Sequence, residues 1–295
     1  MSTLTLYPGR FPIMLDKINF SSNFISTDSE EQFKHNYNKI HSYYQKADIK
    51  YVNNECGFRA KPFEQYTKGF GLALGCSHTY GVGVRQEDTW HAELGRCIGK
   101  QFVNLGCESH GIEAVCSVAR EWTKHYARPD CVFIQLPDFN RKTHAILRTG
   151  HTDRQGVSHD EWYTELETRQ VTVHEDDLTQ EYAYATTINY TVEHFANQNI
   201  PVRLWSYQDD HAVNRFVKYN IQDVVLTDAD VNNFLARDLA HQGHITQFRV
   251  AGELQTALND NMITVSPKSE PMELTEENQK ELTIMLRTNN RIIYN

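Results

Sequence analysis

The stretch that decides the fold is Gly75-Cys76-Ser77-His78-Thr79-Tyr80-Gly81. It follows an apolar run over residues 70–74 and precedes a helical pattern over residues 89–98. A serine at a strand-to-helix turn has an exposed hydroxyl close to helix amides, and hydrolases commonly present a nucleophile in this way. Ser77 is therefore a candidate nucleophile, with His78 beside it expected to pack or to line the pocket. Serine is also a favoured helix N-cap, so a purely structural role for Ser77 stays open.

A candidate acid and base lie far downstream, where the chain reads Asp238-Leu239-Ala240-His241. Together with Ser77 they are the residue types of a Ser-His-Asp relay, in which His241 takes the serine proton and Asp238 holds the imidazole. With His244 they also suit a metal site, but no further ligand is evident at helical spacing, and we expect neither a metal nor a cofactor. Asp209-Asp210-His211 is a rival acid and base pair whose simpler interpretation is a polar turn.

In these segments the chain resembles the SGNH, or GDSL-like, hydrolase superfamily. Gly75-Cys76-Ser77 stands where that family has Gly-Asp-Ser, Asn104-Leu105-Gly106 matches its Asn-x-Gly, and residues 238–241 match its Asp-x-x-His. The matches occur in the family's order within about residues 69–258. The resemblance implies a three-layer α/β/α flavodoxin-like fold with a central parallel sheet. It also implies a serine esterase with Ser77, Asp238 and His241 as catalytic residues and no cofactor.

The remaining block of the family pattern, Gly-x-Asn-Asp, is altered. After an apolar run over residues 131–136 the chain reads Pro137-Asp138-Phe139-Asn140-Arg141, so the asparagine falls one place late. Asn140 is accordingly a candidate side-chain donor to an oxyanion, with the backbone amides of Ser77 and Gly106. Losing one such donor typically costs about 10²–10³ in turnover. The resemblance thus predicts the fold more firmly than the activity.

The alternation of apolar runs and helical patterns predicts βαβ units, a parallel sheet and helices on both faces. The expected strands cover residues 70–75, 102–105, 131–136 and 202–207, and the expected helices cover residues 88–100, 110–126, 178–197 and 243–258. Ligands of such sheets bind at the carboxyl ends of the strands. Because Ser77, Gly106 and Asn140 each follow a predicted strand end, we expect them at one edge of the sheet.

The regions outside this core predict the domain organisation. Residues 1–68 are polar and aromatic, and we expect an arm or cap before a hydrolase-like domain over residues 69–262. A polar insertion at about 142–177 forms either a lid over the site or a surface excursion. Residues 263–295 are expected to form a linker and a C-terminal amphipathic helix, which docks on the same subunit or on a neighbour.

Composition excludes several classes of protein. The 295 residues carry a formal charge of -9 with no long Lys/Arg cluster, so we expect no nucleic-acid partner. No run approaches the roughly 18 apolar residues that span a bilayer, so we expect no membrane partner. The start shows no secretory signal, and cytoplasmic synthesis is expected. The six cysteines include no Cys-x-x-Cys pair, which favours reduced thiols.

Two function classes follow. The first is an esterase that removes acetyl or another small acyl group from a carbohydrate or a related polar substrate. The second is a noncatalytic binding or structural protein that keeps the fold. The residues around Gly57-Phe58-Arg59 and Ser77 are also similar to SGNH-like proteins of phages and marine bacteria. From this similarity we also expect a virion-associated esterase or a virion component. The N-terminal arm and the C-terminal tail would then mediate assembly into a homo-oligomer or a virion.

Overall fold

The computed structural model describes residues 3–46, 48–152, 158–170, 178–207, 216–227, 230 and 234–259. The rival pair at residues 209–211 and the expected C-terminal helix lie outside these ranges. The strands are β1 (Leu4–Leu6), β2 (Ile13–Met14), β3 (Ser21–Ser22), β4 (Tyr51–Val52), β5 (Phe70–Gly75), β6 (Gln101–Gly106), β7 (Cys131–Gln135), β8 (Arg141–Thr152), β9 (Ser158–Gln170), β10 (Val202–Ser206) and β11 (Ile221–Asp223). The helices are α1 (Glu30–Asn36), α2 (Ser42–Lys46), α3 (Ser77–Tyr80), α4 (Trp90–Ile98), α5 (Ile112–His125), α6 (Leu178–Ala196) and α7 (His244–Asn259).

The central sheet has five strands in the order β11-β10-β7-β5-β6. Every pairing in it is parallel. Its central strands β5 and β7 are buried throughout and carry apolar side chains on both faces, as expected when helices cover both sides. In β7, Val132 and Ile134 join the core under α5 and α6, whereas Phe133 joins the core under α4 and α7. The molecule is therefore a three-layer α/β/α structure around a parallel sheet, as the sequence predicts.

Helix α7 is rotated relative to its predicted orientation. Its apolar pattern predicts Ile245, Phe248 and Leu254 toward the core, but Ile245 is 38% and Phe248 63% exposed, and only Leu254 is buried. The buried face instead includes Gln247, whose Oε1 accepts from the Trp90 amide at 2.8 Å. The start of α4 needs an acceptor for this buried amide, so a polar side chain displaces an apolar one from the interface.

The described part of the polar insertion is an antiparallel hairpin of β8 and β9. It forms a four-stranded sheet with the N-terminal segment, in the order β2-β1-β9-β8. Leu4 pairs with Leu166 in this sheet. The hairpin thus extends a sheet that it shares with the N-terminal segment, and its role as a lid or as a surface excursion stays a prediction.

Residues before β5 pack into the core. Phe11, Phe58 and Phe63 are buried with Trp122 of α5. The guanidinium of Arg59 is fully buried, and it donates to the carbonyl oxygens of Gly81 at 2.7 Å and Lys50 at 2.8 Å. The N-terminal segment is thus part of the folded body and contacts the turn after α3.

All six cysteines are free. Within the described residues, no helix combines the length and the apolar character that crossing a membrane requires.

Candidate active site

Ser77 opens the short helix α3, two residues after β5 ends at Gly75. The N-cap of this helix is Cys76, and no side chain caps it. Ser77 is therefore not the N-cap, and its hydroxyl is not used to satisfy a helix amide. Gly81 ends the helix with φ 85°, a left-handed conformation that glycine adopts without strain. The side chain of Ser77 is left at the carboxyl edge of the sheet, 7% exposed.

The three residues expected to form a relay are hydrogen bonded in series. His241 Nε2 lies 2.8 Å from Ser77 Oγ, and His241 Nδ1 lies 2.6 Å from Asp238 Oδ2. Because a carboxylate only accepts, Nδ1 carries the proton and Nε2 is free to accept from the serine hydroxyl. This is the tautomer that a general base needs.

The Asp-x-x-His spacing has a local structural reason. Asp238 Oδ1 accepts from the amides of Ala240 at 3.1 Å and His241 at 3.2 Å, which closes a tight turn. Leu239 inside that turn has φ 57°. The carboxylate therefore holds its own loop with one oxygen and the imidazole with the other.

Asp238 stays ionised although it is 8% exposed. Burial acts to raise the pKa of this carboxyl, but hydrogen bonds from His241, Thr27 and the Ala240 amide, with the charge of His241, lower the pKa overall. An ionised Asp238 stabilises the imidazolium that forms when His241 accepts a proton.

The three expected oxyanion donors have different surroundings. The Ser77 amide is in the first turn of α3, where amides have no partner within the helix. Gly106 pairs with Gly75 in the sheet, but its amide donates to Asn104 Oδ1 at 2.9 Å. That donor is engaged, so an oxyanion role for Gly106 would require this bond to break. Asn140 directly precedes β8, and its buried Oδ1 has no hydrogen-bond partner among the described residues. Its role as a donor stays a prediction.

A cavity of about 220 Å³ is lined by Cys76 and His78, the two sequence neighbours of Ser77, but Ser77 itself is not part of its lining. Its lining comes from the carboxyl ends of β5, β7 and β10 and includes Cys76, His78, Gln135, Pro137, Ser206 and Tyr207. The ring of His78 lies between His241 and Tyr207, with centroid distances of 4.9 and 5.1 Å. Burial, with the neighbouring His241, holds the pKa of His78 well below its usual range. His78 is thus a neutral lining residue, as expected.

The site can be compared with solved structures, although no protein-family model and no curated protein matches the sequence. The chain is similar to a protein of the G-D-S-L family from Desulfitobacterium hafniense DCB-2, with 17% identity, TM-score 0.41, and coverage of 64% of this chain and 99% of that one. It is also similar to an acetyl xylan esterase from the rumen bacterium Butyrivibrio proteoclasticus, with 10% identity, TM-score 0.42, and coverage of 66% and 64%. At these identities the similarity concerns the fold alone.

The parallel pairing of β5 and β6 explains why residues distant in sequence meet. Cys107 N donates to Gly75 O at 2.9 Å, so the Asn104-Leu105-Gly106 block lies directly beside the nucleophile turn. Asn104 Nδ2 donates to Tyr80 O at 3.2 Å and holds the last residue of α3. In this chain that asparagine supports the turn.

His244 packs away from the relay. Its ring stacks on Tyr43 with a centroid distance of 4.1 Å, and its Nδ1 lies 3.0 Å from the Tyr44 hydroxyl. Among the described residues, no group of three or more His, Cys, Asp or Glu side chains is arranged to hold a metal ion.

One contact of the site has no signal in the sequence. Thr27 Oγ1 donates to Asp238 Oδ2 at 2.6 Å, across 211 positions of the chain. Thr27 lies in a polar segment without periodicity, and neither its spacing nor its neighbours mark it as part of a site.

Proposed function

We propose that this protein is a serine hydrolase that cleaves carboxylic esters. The observation that carries the proposal is the series of hydrogen bonds from Ser77 through His241 to Asp238, at 2.8 and 2.6 Å. A serine hydroxyl is a weak nucleophile at neutral pH, and an adjacent imidazole is the group that activates it.

The roles follow from this geometry. Ser77 Oγ attacks the ester carbonyl carbon while His241 Nε2 takes the hydroxyl proton. The tetrahedral intermediate then collapses, the C–O bond to the alcohol breaks, and the same proton passes from Nε2 to the leaving oxygen. A water molecule, deprotonated by Nε2, then attacks the acyl carbon; the bond to Ser77 Oγ breaks, the proton on Nε2 passes to Oγ, and the carboxylic acid is released. Asp238 stays ionised and orients the ring throughout.

The developing oxyanion needs donors on the side of Ser77 opposite His241. The Ser77 amide at the start of α3 is one candidate, and the Asn140 side chain is the other. Because the Gly106 amide already donates to Asn104, fewer oxyanion donors are available than predicted, which favours slow turnover.

For the substrate, we infer a small acyl group, such as acetyl, on a polar alcohol such as a carbohydrate. The cavity of about 220 Å³ next to the Ser77 turn is small, which supports a short acyl group. Ser206 and Gln135 place polar groups along its lining, which suits a hydroxylated alcohol.

The test is covalent labelling. Purified protein is treated with a fluorophosphonate, and the adduct is located by peptide mass spectrometry alongside hydrolysis of 4-nitrophenyl acetate. We expect an adduct on Ser77, and a loss of turnover of about 10³-fold or more in Ser77→Ala. Ser117→Ala, a serine substitution in α5, is the matched control and should keep both activities. Hydrolysis at the wild-type rate by pure Ser77→Ala would refute the assignment.

A noncatalytic binding or structural role in the same fold, including one in a phage virion, is the competing proposal. It is supported by the engaged Gly106 amide and by the altered block around Asn140. A folded protein that forms no adduct and hydrolyses no ester would favour it.

A further inference from the structure

A short turn of the N-terminal segment contacts the acid of the relay. Ile25 and Asp28 form a two-way backbone bridge, with both N···O distances 2.9 Å, and Ser26 inside the turn has φ 52°. Thr27 is the other residue inside this turn. Its hydroxyl donates to Asp238 Oδ2, the oxygen that also accepts from His241 Nδ1.

The turn is fixed to the loop that it contacts. Asp28 accepts from Arg237 Nε at 2.8 Å and Nη2 at 2.6 Å, and the two side chains are 1% and 5% exposed. Arg237 directly precedes Asp238 in the chain. The guanidinium also lies over the Phe24 ring, with its Cζ 4.6 Å from the centroid. A buried bidentate pair of this kind is rigid, so the Thr27 hydroxyl has a defined position relative to the carboxylate.

The bond from Thr27 completes the shell of the carboxylate. Oδ1 is held by the amides of Ala240 and His241, and Oδ2 is held by Thr27 and the imidazole. Without the hydroxyl, Oδ2 would keep only the His241 ring as a donor among the described residues. The position of Oδ2, and with it the orientation of His241 toward Ser77, would then depend on the bonds of Oδ1 alone.

We propose that Thr27 is a positioning residue of the relay, whose hydroxyl fixes Asp238 Oδ2 and thereby the orientation of His241. This inference rests on the proposed hydrolase function for its kinetic consequence. The effect of the Thr27 hydroxyl on the His241–Asp238 hydrogen bond does not depend on any substrate.

The first experiment is kinetic. Thr27→Val keeps the volume and the branching of threonine and removes the donor, whereas Thr27→Ser keeps the hydroxyl. We expect Thr27→Val to lower kcat for 4-nitrophenyl acetate about 10-fold or more with little change in KM, because a hydrogen bond to a charged group is lost. Thr27→Ser should restore most of it. Thr5→Val is the matched control, since Thr5 is fully buried and its hydroxyl has no partner among the described residues.

The second experiment needs no substrate. The proton between His241 Nδ1 and Asp238 gives a downfield proton NMR resonance, which Asp238→Asn identifies by abolishing it. We expect Thr27→Val to shift or broaden this resonance, and Thr27→Ser and Thr5→Val to leave it in place. If Thr27→Val fails to fold, Thr27→Ala carries the same expectation.

The outcomes separate the two proposals. A folded Thr27→Val with unchanged kcat and unchanged resonance overturns the positioning role. Equal losses in Thr27→Val and Thr27→Ser also overturn it, because the hydroxyl is then not the cause. A wild-type protein that hydrolyses no ester refutes the proposed function, while the resonance still decides whether Thr27 orients the His241–Asp238 pair.

Discussion

Gly106 offers the sharpest test of how the sheet supports the nucleophile. This residue ends β6 beside Gly75, and the backbone of α3 passes directly over it. A Cβ atom at position 106 would lie 2.2 Å from Tyr80 N, 2.6 Å from Tyr80 Cα and 2.8 Å from Thr79 C. Gly106 is not among the glycines with positive φ, so the obstacle to alanine is space and not backbone conformation.

The size of the effect follows from those distances. All three overlaps are with backbone atoms, which cannot rotate away as a side chain would. To reach ordinary van der Waals contact, α3 must move by about 1 Å, and Ser77 moves with it. Overpacking of this kind costs about 1–3 kcal/mol of stability. A displacement of about 1 Å at a reacting group can cost about 10²-fold in rate. We therefore expect Gly106→Ala to lose about 10²-fold in kcat/KM while most of the protein stays folded.

Two measurements separate displacement from unfolding. Urea denaturation gives the free energy of unfolding, and the second-order rate of fluorophosphonate labelling of Ser77 reports the position of the nucleophile in the folded fraction. The matched control is Gly252→Ala in α7, where a Cβ meets nothing within 4 Å. That change should stabilise the helix by about 1 kcal/mol and leave labelling unchanged.

Wild-type kcat/KM and labelling rate in a folded Gly106→Ala protein would refute this reasoning. That result would mean either that α3 moves without changing the reactivity of Ser77, or that β6 moves and α3 stays in place. A loss of labelling that merely follows the unfolded fraction would equally exclude a displaced nucleophile.

Four further outcomes are expected. Burial lowers the pKa of His91 to about 3 in the folded protein. In the unfolded chain the same imidazole is protonated below about pH 6.5. Neutral His91 therefore leaves the free energy of unfolding at its full value above about pH 6.5, and this free energy falls by about 1.4 kcal/mol per pH unit below that value. Urea titrations at several pH values should show a smaller loss of stability with falling pH in His91→Gln than in the wild type. Lys17 pairs with Glu108 at 2.6 Å with exposures of 6% and 5%, so Lys17→Met should cost about 3–5 kcal/mol in a urea titration. Lys34→Ala, in an ion pair where Lys34 is 71% exposed, should change stability by less than about 1 kcal/mol. Asn140→Ala should lower kcat about 10²-fold with little change in melting temperature, and unchanged turnover would remove it from the oxyanion site.

The sequence predicts most accurately the strands and helices whose apolar pattern lies within one continuous stretch of the chain. The apolar run at residues 70–75 coincides with β5, and the pattern at residues 110–126 contains α5. Local chemistry explains the turn that joins Asp238 to His241, because the carboxylate accepts from the amides two and three residues later. The meeting of this turn with Ser77 follows from the topology of a parallel sheet and from the family resemblance.

What the sequence does not predict depends on long-range pairing. Gln247 faces the core because an amide of another helix lacks an acceptor, which no pattern within α7 reveals. Arg59 is buried because carbonyl oxygens from two other segments converge on it. Thr27 and Asp28 contact their partners across more than 200 positions. Such residues look like surface polar residues until the partner is known.

The contact between the turn at Thr27 and the loop at Asp238 also bears on when the site can form during synthesis. A nascent chain that ends before residue 237 has its N-terminal turn but no arginine for Asp28 and no acid for Thr27. Contacts of such separation form late, because the intervening chain must first be ordered. In such a chain Asp28 lacks its guanidinium partner, so the turn at residues 25–28 is not yet fixed to the loop that carries Asp238 and His241. A chain interrupted in its final portion carries the nucleophile but has no means of activating it.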